Sequence, residues 1–109
     1  MSWYNTVVLS FGNNEWDEEE LRPPKSFVPL KKINQWLKKH HFEVPLSDLG
    51  EAGDLGSNAV LLGGTYDGLD VEKFCQFIQT LKWSSLENVQ ILFWGDNDSK
   101  FKVVSFPLE

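Results

Sequence analysis

The sequence predicts an α/β domain built as a two-layer sandwich, a mixed four-stranded sheet with two helices on one face, in the order β-α-β-α-β-β. Three observations carry this prediction. Four short segments are rich in β-branched and aromatic residues, and two longer ones repeat apolar residues at helical spacing. The two kinds of segment alternate through the first three quarters of the chain, and all 109 residues fit a single domain. An α+β arrangement is the alternative.

The first strand is expected from Trp3 to Phe11, where Val7, Leu9 and Phe11 share one face. Gly12-Asn13-Asn14 breaks the pattern, and the run to Pro23-Pro24 reads as an acidic surface loop. From Pro29 the pattern turns helical. Leu30, Ile33, Trp36 and Leu37 fall within an arc of about 120°, and Lys31, Lys32, Lys38 and Lys39 fall opposite. Residues 41–57 give no clear period, although Phe42 to Leu46 suits a short strand, and the segment is read as irregular.

Ala59-Val60-Leu61-Leu62 is a continuous apolar run before Gly63-Gly64, the pattern of a strand buried on both faces and the expected centre of the sheet. Asp70 stands as N-cap to a second helix with Val71, Phe74, Cys75, Ile78 and Leu81 on its apolar stripe, ending near Trp83. Asn88 to Trp94 is the third strand. Gly95-Asp96-Asn97-Asp98-Ser99 turns the chain into a fourth from Lys100 to Phe106. The strand-helix-strand unit from 59 to 94 is expected to pair its strands in parallel. Two helices cover one face only, so the other face is expected to be open, with Tyr4, Thr6, Val8, Gln90, Leu92 and Trp94 on it.

The formal net charge of -6 is a sum of unlike blocks. Residues 12–24 carry -4, residues 25–43 carry +4, residues 44–72 carry -6, and the remainder balances. The overall sign opposes a phosphate backbone, and the sheet lacks the aromatic and basic pattern of single-stranded RNA modules, so no nucleic-acid partner is expected. No apolar run approaches the roughly 18 residues of a membrane span, and no leader pattern opens the chain, so no membrane partner is expected and the cytoplasm is the expected location. One cysteine excludes an intramolecular disulfide and a Cys-rich zinc site.

No complete catalytic, cofactor or metal motif is present, and the chain is read as a non-enzyme with no cofactor and no metal. Gly63-Gly64-Thr65-Tyr66-Asp67-Gly68 lacks the Lys-Ser or Lys-Thr of a phosphate loop, and Asp67 and Asp70 would repel a phosphate. Asp96 and Asp98 lie in a hairpin without the Gly and Glu of a calcium loop, and turn chemistry accounts for them. Cys75, the one thiol that could pair with His40 or His41, lies on an apolar helix stripe and reads as a core residue.

The expected function is therefore protein binding by a small acidic domain that inhibits or neutralises a basic partner, in the manner of an immunity protein, or serves as an adaptor. The run Glu15, Trp16, Asp17, Glu18, Glu19 and Glu20 offers carboxylates and one aromatic anchor for that contact. Tyr4, Leu92 and Trp94 form an apolar patch on the open face for a partner or for a second copy in a homodimer. The alternative is a small-ligand protein or enzyme using loops at the carboxyl ends of the strands, near Glu15, Gly63, Gly64, Tyr66 and Asp67.

Overall fold

A computed structural model describes residues 4–12, 15, 27–49 and 59–108. The chain forms β1 (Tyr4–Gly12), α1 (Val28–Lys39), β2 (Ser47–Asp48), β3 (Ala59–Asp67), α2 (Val71–Thr80), a short 3-10 turn (Leu86–Asn88), β4 (Gln90–Gly95) and β5 (Lys102–Ser105). The five strands make one sheet in the order β2-β3-β1-β4-β5, and every neighbouring pair is antiparallel. The mixed α/β character holds. The mixed four-stranded sheet does not, for two reasons.

Ser47 and Asp48, in the segment read as irregular, pair with Gly63 and Leu62 and add a fifth strand at the edge. Two residues leave no period to read. The second reason is the place of β1. It pairs with β3 along one side and β4 along the other, so β3 and β4 run in the same direction without touching, and α2 crosses over β1 between them. Alternation along β1 explains its place: Val7, Leu9 and Phe11 are all at or near zero exposure, and their opposite neighbours are Gly64, Leu62 and Val60 on β3. The apolar run at the start of β3 is buried on one face only, since Val60 and Leu62 are buried while Leu61 is exposed.

The helices share a single core with this face of the sheet. Pro29, Ile33 and Leu37 of α1 and Phe74, Cys75 and Ile78 of α2 are buried in it. The helices meet through Trp36, whose ring lies 5.5 Å from both Phe74 and Phe77. Asp70 caps α2 as its sequence position implies, its Oδ1 accepting from the Lys73 amide at 3.1 Å. The helix stops at Thr80, short of Trp83. Asn88 falls in the 3-10 turn, so β4 starts at Gln90.

The end of α1 is less ordinary. His41 has φ of 70°, a left-handed conformation usual for Gly at this position. Its amide donates to the Lys38 carbonyl at 3.0 Å, and the Phe42 amide donates to Leu37 at 2.9 Å. These are the paired bonds of a Schellman motif, with a histidine where glycine is favoured. Phe42 then packs edge-on to Tyr66 at 5.6 Å, which fixes the direction of the chain toward β2.

Candidate functional site

Three regions of the surface hold the residues singled out in the sequence. The first is the end of the sheet where β1 stops. Gly12 is paired with Ala59, so the segment leaving β1 and the segment entering β3 are attached side by side. Both segments are acidic in sequence, residues 13–20 through Glu15, Asp17, Glu18, Glu19 and Glu20 and residues 50–58 through Glu51 and Asp54. Glu15 is tied down there. Its carboxylate oxygens accept from the amides of Ser84 and Ser85 at 2.8 and 2.9 Å, beside the 3-10 turn that carries exposed Glu87. Beneath this anchor Phe11, Phe27 and Trp83 pack together, with centroids 5.2 to 6.2 Å apart. Trp83 Nε1 donates to the Ile78 carbonyl at 2.9 Å and holds the indole in place. Trp16, Asp17, Glu18, Glu19 and Glu20 lie outside the described residues.

The second region is the sheet face away from the helices. Register places its side chains in rows. Thr65, Thr6 and Trp94 form one, Gly63, Val8, Leu92 and Val103 the next, and Leu61, Ser10, Gln90 and Ser105 the third. None of these side chains is ionisable, whereas beyond the first row Tyr4 stands opposite exposed Asp67. Tyr4 at 51 %, Leu61 at 41 %, Trp94 at 38 % and Val103 at 57 % are exposed on it, and Leu92 is half-buried. Exposed Leu49 leans over Gly63, where an added Cβ would lie 3.1 Å from its Cδ1. Phe101 stands edge-on to Trp94 at 5.2 Å. Four of the polar side chains in the rows pair within the chain. The hydroxyls of Thr6 and Thr65 lie 3.0 Å apart, and Gln90 Nε2 donates to Ser105 Oγ at 3.2 Å.

The third region is a groove of about 530 Å³ between the turn after α1 and the end of β3, lined by His40, His41, Phe42, Thr65, Tyr66 and Asp67 among others. Asn34, Lys38 and Pro45 join His41, Phe42 and Glu43 around a second groove of about 540 Å³. His41, Phe42 and Glu43 are common to both, so the residue in left-handed backbone stands between them. His40 is held by its own helix, Nδ1 donating to the Trp36 carbonyl at 2.9 Å with the rings 4.0 Å apart.

Tyr66 forms the buried wall of the first groove. Its ring folds back over Gly64, its hydroxyl is buried with no hydrogen-bond partner among the described residues, and burial pushes its pKa up to about 12. The ligand loop expected at Gly63, Gly64, Tyr66 and Asp67 is not a loop, although Tyr66 and Asp67 line this groove. All four residues belong to strand β3. The two glycines serve packing, Gly64 making room for the Tyr66 ring on the helix side and Gly63 for Leu49 on the open side. Because neighbouring strands are antiparallel, their carboxyl ends do not gather at one edge, and Glu15 and Asp67 lie at opposite ends of the β1–β3 pair. Strand pairing alone decides this, and the glycine pair in the sequence mimics a turn.

The remaining candidates are structural. Cys75 is buried and its thiol is pushed up to about 11 by that burial, which keeps it protonated. Asp98 accepts from the Gly95 amide at 2.7 Å and pairs with Lys102 at 3.2 Å, and the Gly95 amide, with help from Lys102, holds its carboxyl below the usual range. Asp96 accepts from the Tyr4 amide at 3.1 Å. Among the described residues no three His, Cys, Asp or Glu side chains converge as metal ligands, and no helix is long and apolar enough to cross a membrane.

His41, weighed in the sequence only as a partner for Cys75, and Phe42, read only as the start of a short strand, line both grooves. A helix ending in two histidines with no glycine after it was the available signal. The fold and its surfaces define a mixed α/β domain with a five-stranded antiparallel sheet backed by two helices. Comparison with protein-family models, with curated proteins and with solved structures finds no match.

Proposed function

We propose that this chain is a protein-binding module that captures a basic protein at the acidic end of its sheet, acting as an inhibitor of the immunity-protein kind or as an adaptor. The pairing of Gly12 with Ala59 is the observation that supports this reading. It gives two acidic segments a common point of attachment, and the Glu15 anchor to Ser84 and Ser85 fixes one of them to the folded core. Carboxylates gathered on one side of a domain raise the rate of encounter with a basic surface, and Trp16 supplies an anchor once contact is made.

Reversing Glu18, Glu19 and Glu20 to Lys tests the reading and brings the formal net charge from -6 to zero. The immobilised wild-type chain is expected to retain a basic protein from a source-cell extract at 50 mM salt and release it at 500 mM, and the reversed variant to retain none. Equal retention by both would remove the acidic segment from the function.

A second reading, a small ligand in the groove between His41 and Tyr66, is favoured by His41. A non-glycine residue held at positive φ carries a conformational cost, and such costs gather where a side chain has work to do. The volume of about 530 Å³ is within the range of ligand sites. An NMR fragment screen should move the amide signals of His41 and Thr65. A screen that moves neither rejects it.

A further inference from the structure

We infer that the open face of the sheet is the interface of a homodimer, two copies packing face to face about a two-fold axis. This surface is separate from the acidic end, and the inference stands without the basic partner.

Area is the first argument. Strands β3, β1, β4 and β5 lie about 4.8 Å apart, and the four residues of β5 limit the stretch all four share to about 13 Å, so that part of the face spans roughly 250 Å² before side-chain relief is counted. Tyr4, Leu49, Leu61, Trp94, Phe101 and Val103 keep between 38 % and 57 % of their surface exposed. At about 150 to 200 Å² for each side chain, that is roughly 500 Å² of apolar surface per copy. Joining two faces removes roughly 1,000 Å² of it, and the polar members of the rows add to the total. A specific interface needs about 1,000 Å² or more, and a single apolar patch of this size is at the upper end for a chain that stays alone.

Charge is the second. A two-fold interface sets a patch against itself, so any charge in it meets its own sign. The three rows hold none. Asp67, opposite Tyr4, is the acid that the register adds to this face, and it stands at the rim, outside the three rows. The third argument is desolvation. Thr6 bonds Thr65 and Gln90 bonds Ser105, so covering them strips less hydrogen bonding to water than four unpaired side chains would lose. Val8 and Leu92, paired across the middle row, mark the centre of the contact.

Sedimentation equilibrium of the whole chain at about 50 μM tests the inference, with a dimer at twice the 12.5 kDa chain mass as the expected result. The dimer should persist when salt is raised from 50 to 500 mM, since no charge pairs hold it. Thr65→Lys and Val103→Lys each place an ammonium in a row at an exposed position on a different strand. Each is expected to weaken association at least about 100-fold and to return the chain mass, with the helical circular dichroism unchanged. A wild-type chain that sediments as a monomer overturns the inference whatever the variants do. So does a dimer that survives both folded variants or that salt dissociates, and so does a monomer that takes up a different protein through these same rows.

Discussion

Gly64→Ala tests the packing of Tyr66 against β3, the feature that turns a glycine pair into part of a strand. A methyl group built on Gly64 would lie 2.6 Å from the Tyr66 hydroxyl oxygen, 2.9 Å from Cζ and 3.0 Å from Cε2. Unstrained carbon contacts lie near 3.5 to 4.0 Å, so the ring must withdraw by about 1 Å. It has little room to do so, being 3 % exposed and packed against Phe42. Overpacking of this kind costs about 1 to 3 kcal/mol, and the better strand behaviour of Ala over Gly returns about 0.5 to 1 kcal/mol. A net loss of about 1 to 2 kcal/mol follows, which lowers the urea midpoint by roughly 1 M for a small domain.

Tyr66→Phe should do the opposite, gaining about 1 kcal/mol, because it removes a buried hydroxyl that has no partner among the described residues. The double variant should be better than additive, since the nearest of the three contacts disappears with the oxygen. The same pair carries a pH signature. Tyr66 has its folded pKa raised by burial from 10 to about 12, so between these pH values the unfolded chain releases a proton that the folded chain keeps. Stability therefore declines with rising pH in that window, by up to about 1.4 kcal/mol per pH unit, and Tyr66→Phe removes this part of the decline. A Gly64→Ala midpoint at or above wild type would refute the close approach of the ring. A Tyr66→Phe midpoint lower by 0.5 M or more would show that the hydroxyl has a partner.

Three further outcomes are expected. His41→Gly should stabilise the fold by about 1 kcal/mol in the same urea assay, because glycine takes the left-handed position of the Schellman motif without its steric cost, and a loss of stability would contradict the assignment. Glu15→Ala should cost about 1 to 2 kcal/mol by leaving the Ser84 and Ser85 amides without their carboxylate, and amide exchange at both residues should quicken; unchanged exchange would dissolve the anchor. Asp98 has its carboxyl pKa lowered by the Gly95 amide and by Lys102, so its contribution is present above about pH 4 and is lost as pH falls through the folded value. Asp98→Asn should therefore reduce the difference in thermal midpoint between pH 6 and pH 3, and an identical acid limb would show that the turn gains nothing from the charge.

Periodicity makes much of this architecture legible in the sequence. Val7, Leu9 and Phe11 alternate because one face of β1 is buried, and Ile33 and Leu37 recur on α1 for the same reason at helical spacing. The Asp70 cap and the hairpin turn near Asp98 are local events, settled by side chains within a few residues of the backbone they bind. Those parts depend on neighbours along the chain. Which faces are open also follows from alternation, and that is how Leu92 and Trp94 could be assigned to the side away from the helices.

Pairing is another matter. Nothing along Ala59 to Asp67 distinguishes a strand beside β1 from one beside β4, because both neighbours offer the same apolar alternation. The choice depends on how nine residues of β3 register with nine of β1, and on whether α2 can span the strand between. The two-residue β2 is held by β3 and carries no period of its own. Gly63 and Gly64 look like a turn until the Tyr66 ring and Leu49 are placed over them. By itself the sequence determined the number and kind of the long elements, the buried faces of β1 and the two helices and the distribution of charge in blocks, all of which are set by neighbours a few residues apart, whereas β3, expected to be buried on both faces, is buried on one. Only the tertiary structure decided the strand order, the attachment of two acidic segments at Gly12 and Ala59, and the grooves beside His41, because each depends on residues that meet across the fold and leave no trace in local spacing.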